Sequence, residues 1–311
     1  MQYTASTSQP PERRRLRKTQ KDAIFVAFCL LPAFLCLAIV VFFPIAKAAW
    51  ISLFDYKFTN VNPPVWNNFE NYIDLFASGD WLVFLKNTFI YIFFTVTIQF
   101  MLAIIVALLL NSNIKGRNAM RSLLFMPWTI PSVVTALLWV WLLQPQYGVL
   151  NYIFYHLGLI SNENQLWVQD PQLAMASVII AALWRQTPYM MVMLLAGLQA
   201  VPSDLLEAGK MDGANRFQLF RHILLPSIRP VIDSAILVSV ITNSQMFAII
   251  YNMTAGGPMN RTTTFSIAAY QKSFTAFDFG GGAAIGVVWL LILGTVTWMY
   301  KRYAERNVAD Q

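Results

Sequence analysis

Long apolar segments alternate with short polar segments along almost the whole chain. Six apolar segments are long enough to cross a lipid core of about 30 Å as α-helices. They cover residues 23–46, 83–110, 123–143, 173–199, 231–251 and 283–300. Because backbone amides in lipid must find hydrogen bonds within their own segment, each crossing must be helical. The pattern therefore predicts an all-α, polytopic membrane protein with six transmembrane helices.

The composition agrees with this prediction. The chain is 57% hydrophobic and only 12% charged, whereas a soluble domain carries about 25% charged residues. The net charge of +7 comes from basic clusters beside the apolar segments. Anionic lipid headgroups and the rules of membrane insertion account for such clusters. We therefore expect contact with a lipid membrane and no contact with nucleic acid.

Lys and Arg gather on one side of the predicted bundle. They lie mainly in the N-terminal tail, in the loops after the second and fourth spans, and in the C-terminal tail. Because cytoplasmic loops carry the basic excess, both termini are predicted to be cytoplasmic. The predicted organisation is a disordered basic tail over 1–21, a six-span domain over 22–303 with a cytoplasmic loop over 202–226, and a short tail over 304–311.

Few side chains suggest chemistry of their own. The two histidines are isolated, and both cysteines lie in the first apolar segment. Gly209 and Lys210 are followed by Met211, which does not fit the Gly-Lys-Ser/Thr signature of a phosphate-binding loop. We therefore expect no metal site and no catalytic residue. The first apolar segment lacks a convincing cleavage site, so we expect a retained helix rather than a signal peptide.

The loop after the fourth span has the pattern of two short amphipathic helices. Asp204 and Glu207 have the spacing of a capping box at the start of the first helix. Gly213 then breaks that helix, because glycine turns freely where other residues are strained. Asn215 and Gln218 have the same capping spacing at the start of the second helix. We expect both helices to lie near the membrane plane.

This loop also resembles a known family. Residues 207–214 read Glu-Ala-Gly-Lys-Met-Asp-Gly-Ala, and residues 223–226 read Ile-Leu-Leu-Pro. They resemble the Glu-Ala-Ala loop of binding-protein-dependent ABC importer permeases, in the Asp-Gly-Ala form of the carbohydrate branch (maltose and glycerol-3-phosphate type). Similar elements of this branch occur at 147–151, 184–188 and 254–258. The resemblance covers most of the chain between the second span and the sixth.

One residue departs from the family pattern. Gly209 stands where these permeases usually have Ala, and it is expected to loosen the first short helix. The resemblance implies the type I fold of ABC importer permeases, with six transmembrane helices and a cytoplasmic coupling helix. It also implies a place in the cytoplasmic (inner) membrane of a bacterium.

The resemblance further implies the partners of this chain. They are a second homologous permease, two ATP-binding subunits on the cytoplasmic side and an external solute-binding protein. ATP and Mg are bound by the partner subunits, so this chain needs no cofactor and is not itself an enzyme. The implied docking residues for the ATP-binding subunit are Glu207, Ala208, Asp212, Gly213 and Ala214. The implied contacts for the binding protein are Gly148, Asn151, Gly256, Gly257 and Pro258.

Polar and aromatic residues inside the spans are candidates for the solute path. They are Arg185, Gln186, Tyr189, Asn243, Ser244, Gln245 and Trp139. Amides, hydroxyls, aromatic faces and a guanidinium are the groups that bind carbohydrates. Hydrogen bonding between helices, a structural charge and simple packing are the alternative roles of these side chains. In some importers of this branch only one of the two permeases contacts the solute, so the partner is also a candidate.

The source of free energy must lie outside this chain. Secondary transporters usually keep acidic residues or histidine within their spans for ion coupling, and no acidic residue lies deep in the predicted spans. The leading prediction is a permease that moves a carbohydrate inward by alternating access, driven by ATP. The alternatives are a secondary transporter or channel for a small polar solute, and a membrane-embedded enzyme. The second alternative lacks the clustered acids and histidines that such catalysis requires.

Overall fold

The computed structural model describes residues 13–58, 63–112 and 114–309. The chain divides into two compact units, residues 1–51 and residues 52–311. The first unit consists of α1 (Arg13–Leu37), a π-helical turn (Ala38–Phe42) and α2 (Phe43–Ile51).

The predicted disordered tail over 1–21 is wrong for residues 13–21, which are helical. Arg, Lys and Gln are good helix formers, so the apolar helix extends into the basic segment. Residues 1–12 lie outside the described residues. The predicted boundary near residue 303 is absent as well, because the last helix continues to Ala309.

The second unit begins with an antiparallel pair of strands, β1 (Phe54–Asp55) and β2 (Val65–Trp66). The helices that follow are α3 (Glu70–Ser78), α4 (Asp80–Asn111), α5 (Arg117–Thr129), α6 (Ser132–Leu142), α7 (Val149–His156), α8 (Ala174–Gln199), α9 (Ser203–Met211), α10 (Arg216–Leu219), α11 (Leu225–Ser227), α12 (Arg229–Ser244), α13 (Ala248–Thr254), α14 (Phe265–Tyr270) and α15 (Phe279–Ala309). π-Helical turns at Phe220–Leu224 and Gln271–Thr275 extend α10 and α14.

Four described helices are long and apolar enough to cross a membrane, and up to six if each of two bent pairs counts as one span. The four are Phe25–Ile51, Asp80–Asn111, Ala174–Gln199 and Phe279–Tyr300. The bent pairs are Arg117–Thr129 with Ser132–Leu142, bent by 95°, and Arg216–Ser227 with Arg229–Ser244, bent by 70°. The protein is therefore a mostly helical, polytopic membrane protein, and the count of six spans stays a prediction.

The predicted third span, 123–143, is not one straight helix. It is interrupted between Thr129 and Ser132. Pro131 lacks an N–H and disfavours a helical conformation in the residue before it. Ile130 accordingly has an extended backbone, with φ −74° and ψ 132°. Its carbonyl accepts a hydrogen bond from Arg185 Nε at 3.0 Å, which compensates the bond lost from the helix.

The predicted fifth span, 231–251, is also interrupted. α12 ends at Ser244, whose hydroxyl donates to the Val240 carbonyl at 2.5 Å. Such bonds from side chain to backbone compete with the helical pattern. The Ser244 carbonyl accepts from Trp289 Nε1, and the Met246 carbonyl accepts from Ser266 Oγ. Side chains from α14 and α15 therefore satisfy the backbone at the break.

The centre of the second unit is the pair α4 and α8, and both helices present fully buried alanines. Ala103 and Ala107 lie on α4, and Ala181 and Ala182 lie on α8. Small residues allow membrane helices to approach closely. Helix α12 packs on α4 and α8 near the loop over 202–226. Helices α6 and α13 pack on α4 and α8 at the ends of these two helices that are remote from that loop. This arrangement positions both candidate sites.

Candidate functional sites

The loop over 202–226 presents the implied docking residues to solvent. Glu207, Ala208, Asp212 and Gly213 are exposed, and Ala214 is half-buried. Neither carboxylate forms an ion pair within the part of the chain that the structure describes. The structure thus brings all five residues to one turn. Both carboxylates are open to solvent, and Lys210 lies between them in the sequence.

Two apolar side chains project from the same loop. Met211 is 88% exposed and Phe217 is 66% exposed. Both are available for contact beside the implied docking residues. The sequence reasoning missed both residues, although Met211 lies within the motif.

The turn after α9 depends on glycine. Gly213 has φ +80°, a conformation that other residues adopt at a cost. The Gly213 N–H donates to the Lys210 carbonyl, and the Ala214 N–H donates to the Gly209 carbonyl, both at 3.0 Å. This pair of bonds is the Schellman motif that ends many helices. A Cβ atom at Gly213 would meet nothing within 4 Å, so the requirement for glycine is one of backbone conformation.

The two helix starts in this loop differ from each other. The predicted capping box at Asn215 and Gln218 is confirmed, with both reciprocal bonds at 2.8 and 2.9 Å. The predicted box at Asp204 and Glu207 is wrong. α9 begins after Pro202, which has no side-chain donor or acceptor for a cap. Glu207 is consequently left free for an external contact.

Gly209 is the point of closest approach between the two short helices. It is buried, and a Cβ atom there would lie 2.6 Å from Ile223 Cδ1 and 2.8 Å from Leu219 Cδ2. We expected this glycine to loosen α9. Instead it allows α9 to pack against α10 and the turn that follows, so the loop is one packed unit.

A polar pocket of about 220 Å³ lies among α4, α5, α8 and α12. Three of the predicted path residues, Arg185, Gln186 and Tyr189, line it. The Tyr189 ring stacks on Trp128, with ring centres 5.5 Å apart and planes 17° apart. The other lining residues are Gln99, Met190, Ala235, Val238, Ser239 and Thr242. The pocket thus combines an aromatic face with amide, hydroxyl and guanidinium groups.

A hydrogen-bond network supports one side of this pocket. Ser239 Oγ donates to Gln99 Oε1 at 2.7 Å, and Gln99 Nε2 donates to the Gln186 carbonyl at 3.1 Å. Gln186 Nε2 donates to Asn243 Oδ1 at 3.1 Å, and Asn243 Nδ2 donates to the Ser239 carbonyl at 2.9 Å. All four side chains are buried. The network ties α4, α8 and α12 together, so mutual hydrogen bonding is the observed role of Asn243.

The structure separates the remaining path candidates from the pocket. Ser244 is buried and bonded to its own helix, whereas Gln245 is exposed at the end of α12. Trp139 packs edge-on against Trp184, with ring centres 6.2 Å apart, and lines an apolar groove of about 610 Å³. The sequence reasoning missed Trp128, because an aromatic residue next to an apolar run does not reveal which cavity it faces.

The implied binding-protein contacts include residues with structural roles. Asn151 is 1% exposed, and its amide group donates to the carbonyls of Gln144, Pro145 and Gln165. Its Oδ1 accepts from Trp167 Nε1. This side chain is enclosed by its own loop, so its observed role is structural, and a contact of this position with a binding protein stays a prediction.

Gly148 is also buried, and a Cβ atom there would lie 2.4 Å from the Gln144 carbonyl oxygen. Gly256 is buried at φ +87°. Gly257 and Pro258 are half-buried, and they lead to Met259, which is 83% exposed. Of the implied contacts, Gly257 and Pro258 are the ones that lie at an accessible tip.

Two ion pairs lie in the segments around β1 and in the connection between α14 and α15. Lys57 Nζ lies 3.3 Å from Asp55 Oδ1, and this hydrogen bond raises the pKa of Lys57. Lys272 Nζ lies 3.2 Å from Asp278 Oδ2. Asp278 is buried, and it also accepts from the Gly281 N–H. The second pair therefore connects the end of α14 to the start of α15.

Comparison with known proteins places the chain in a family. The family model described as "binding-protein-dependent transport system inner membrane component" matches residues 99–309. The chain is 33% identical over 274 residues to the trehalose/maltose transport system permease protein MalF of Thermococcus litoralis, covering 88% of this chain and 91% of the relative. It is 31% identical over 304 residues to the sulfoquinovosyl glycerol transport system permease protein SmoG of Agrobacterium fabrum, covering 94% and 98%.

The fold has a close structural counterpart. A chain of a bacterial ABC transporter involved in the import of the acidic polysaccharide alginate superposes with a TM-score of 0.78 at 22% identity, covering 94% of this chain and 99% of that chain. This likeness shows that the two folds agree. Taken with the family match over most of the length, it means that the chain belongs to the binding-protein-dependent transport system inner membrane components, the permeases of ABC importers.

Proposed function

We propose that this chain is a translocation subunit of an ATP-driven importer for a carbohydrate, either a sugar, an oligosaccharide or a polyol. The two relatives are named for the transport of trehalose/maltose and of sulfoquinovosyl glycerol, and these names support the solute class. In this proposal an external binding protein delivers the solute. A second permease completes the pathway, and two ATP-binding subunits bind ATP and Mg. The complex lies in a bacterial inner membrane with both termini of this chain in the cytoplasm.

The observation that carries the proposal is the exposed turn of the loop over 202–226. It combines the free carboxylates of Glu207 and Asp212 with the projecting side chain of Met211. The loop is internally packed through Gly209, so force applied to it is transmitted to α8 and α12 on either side. A rigid element with an accessible contact face is suited to coupling a motor subunit to the helices.

The polar pocket is the proposed solute contact. α8 and α12 flank the loop and also supply most of the residues that line the pocket. A movement of the loop would therefore change the pocket directly. Arg185 and Tyr189 would contact the solute, with Thr242 as a further hydrogen-bonding group. The mutual bonds of Gln99, Gln186 and Ser239 would hold the wall of the pocket.

Copurification tests the docking role. The chain is coexpressed with its neighbouring ATP-binding subunit and isolated through a tag on the permease. Glu207→Lys is expected to abolish recovery of the ATP-binding subunit, because it reverses the charge at the exposed turn. Glu163→Lys is the matched control, since Glu163 is exposed on a different loop. Equal recovery with both variants would contradict the proposed docking site.

A further inference from the structure

Arg185 places an uncompensated positive charge in the polar pocket. It lies near the middle of α8, and no other residue that lines the pocket is charged. Its Nε donates to the neutral Ile130 carbonyl, and Arg185 forms no ion pair among the described residues. The guanidinium group has five N–H donors. Its charge is therefore not neutralised by an acidic side chain among the residues that the structure describes.

An unpaired charge at this position is unfavourable without a compensating partner. An ionisable residue within a membrane helix usually faces a cavity and marks a substrate pathway. The hydrogen bond to the Ile130 carbonyl satisfies one N–H donor of Arg185 but does not neutralise the positive charge of the guanidinium group. The neighbouring groups, Trp128 and Tyr189, stack on each other, and the amides of Gln99 and Gln186 are engaged in the network. No described residue of the pocket therefore supplies an anion to Arg185.

We propose that the pocket binds a carbohydrate that carries an acidic group, with that group held by Arg185. This inference rests on the proposed function and narrows its solute class. Guanidinium binds carboxylate, sulfonate and phosphate through paired, charge-assisted hydrogen bonds. The outer faces of Trp128 and Tyr189 would pack against the sugar ring, and Thr242 would bind its hydroxyls.

The size of the pocket limits how much of the solute it holds. Pockets for drug-sized ligands measure about 300–1,000 Å³, and this pocket measures about 220 Å³. It therefore accommodates one sugar ring at a time. A longer solute would place only its acidic ring against Arg185.

Binding of a matched pair of monosaccharides tests the inference. Glucuronate and glucose share the pyranose ring and differ in the carboxylate. Each is titrated calorimetrically into the purified complex of both permeases and the ATP-binding subunits, without the external binding protein, which has its own specificity. Glucuronate is expected to bind at least tenfold more tightly than glucose. The preference should shrink with added salt, because ions screen the charge.

Two sets of variants distinguish an effect of the Arg185 charge on binding from an effect of misfolding. Arg185→Gln should remove the preference, whereas Arg185→Lys should keep most of it. Thr242→Asp adds an acidic group to the pocket and leaves the bond between Arg185 and Ile130 intact, so it should also remove the preference. Thr242→Asn is its uncharged control; it alters the hydroxyl contact for both sugars alike, so the preference should remain.

The possible outcomes distinguish the charge inference from the proposed pocket. Equal affinities for the two sugars in the native complex would overturn the inference. If Trp128→Ala then weakened both sugars, the pocket would remain the solute site. If neither sugar bound, the charge inference and the proposed pocket would both fail. Copurification of the ATP-binding subunit would still support the importer.

Discussion

Replacement of Gly213 tests whether the turn after α9 couples ATP hydrolysis to transport. At φ +80° a residue with a Cβ atom is strained by about 1–2 kcal/mol. A Cβ atom here meets nothing within 4 Å, so no clash adds to this figure. A free energy of 1–2 kcal/mol changes a conformational equilibrium by roughly 5–30-fold. Gly213→Val should therefore lower the ratio of the docking turn to competing conformations by that factor, and the helices should still insert and pack.

The assay compares solute uptake with ATP hydrolysis in proteoliposomes that contain the complete importer. For Gly213→Val we expect uptake per ATP hydrolysed to fall by at most about 5–30-fold, with normal recovery of the chain from the membrane. Gly213→Asn is the matched control, because asparagine tolerates the left-handed conformation. It should retain most of the coupling. Normal uptake by Gly213→Val, or equal losses in both variants, would refute the argument from backbone conformation.

Three further variants test the packing around the two sites. Asn243→Ala should lower the free energy of unfolding by about 1–3 kcal/mol, because it leaves the buried Gln186 amide without its acceptor. A calorimetric melt of the purified chain measures this loss. An unchanged melting midpoint would contradict the stabilising role of the network. Gln245→Ala should leave the same midpoint unchanged, since Gln245 is exposed. Asp278→Asn should cost about 1–2 kcal/mol in the same melt, between the values for exposed and buried ion pairs, because Lys272 is half-exposed. A loss well outside that range would contradict the assigned contribution of the ion pair between Lys272 and Asp278 to stability.

Local signals in the sequence predicted the glycine turn and the second helix cap of the loop over 202–226. Gly213 and the pair Asn215 and Gln218 act on residues within one turn, and the structure has the turn and the cap that their spacing predicts. The capping box at Asp204 failed although its spacing was equally good. Pro202 already starts the helix there, and spacing alone does not rank competing starts.

Distant contacts explain the other differences. Hydropathy over 123–143 is continuous, so the break at Pro131 looks like a tolerated kink until Arg185 is seen to satisfy the Ile130 carbonyl. The pocket brings Trp128 against Tyr189, a contact that no short motif contains. For Asn151 the family motif carries no information on exposure, and the side chain proved to be buried.

Uptake measured with and without the ATP-binding subunits tests the central claim most directly. Both permeases are reconstituted in vesicles with the external binding protein and its radiolabelled ligand, and internal ATP is either present or absent. Accumulation above the external concentration is expected only when the ATP-binding subunits and hydrolysable ATP are both present. Accumulation by the permeases alone would contradict the claim that the energy enters through the loop over 202–226.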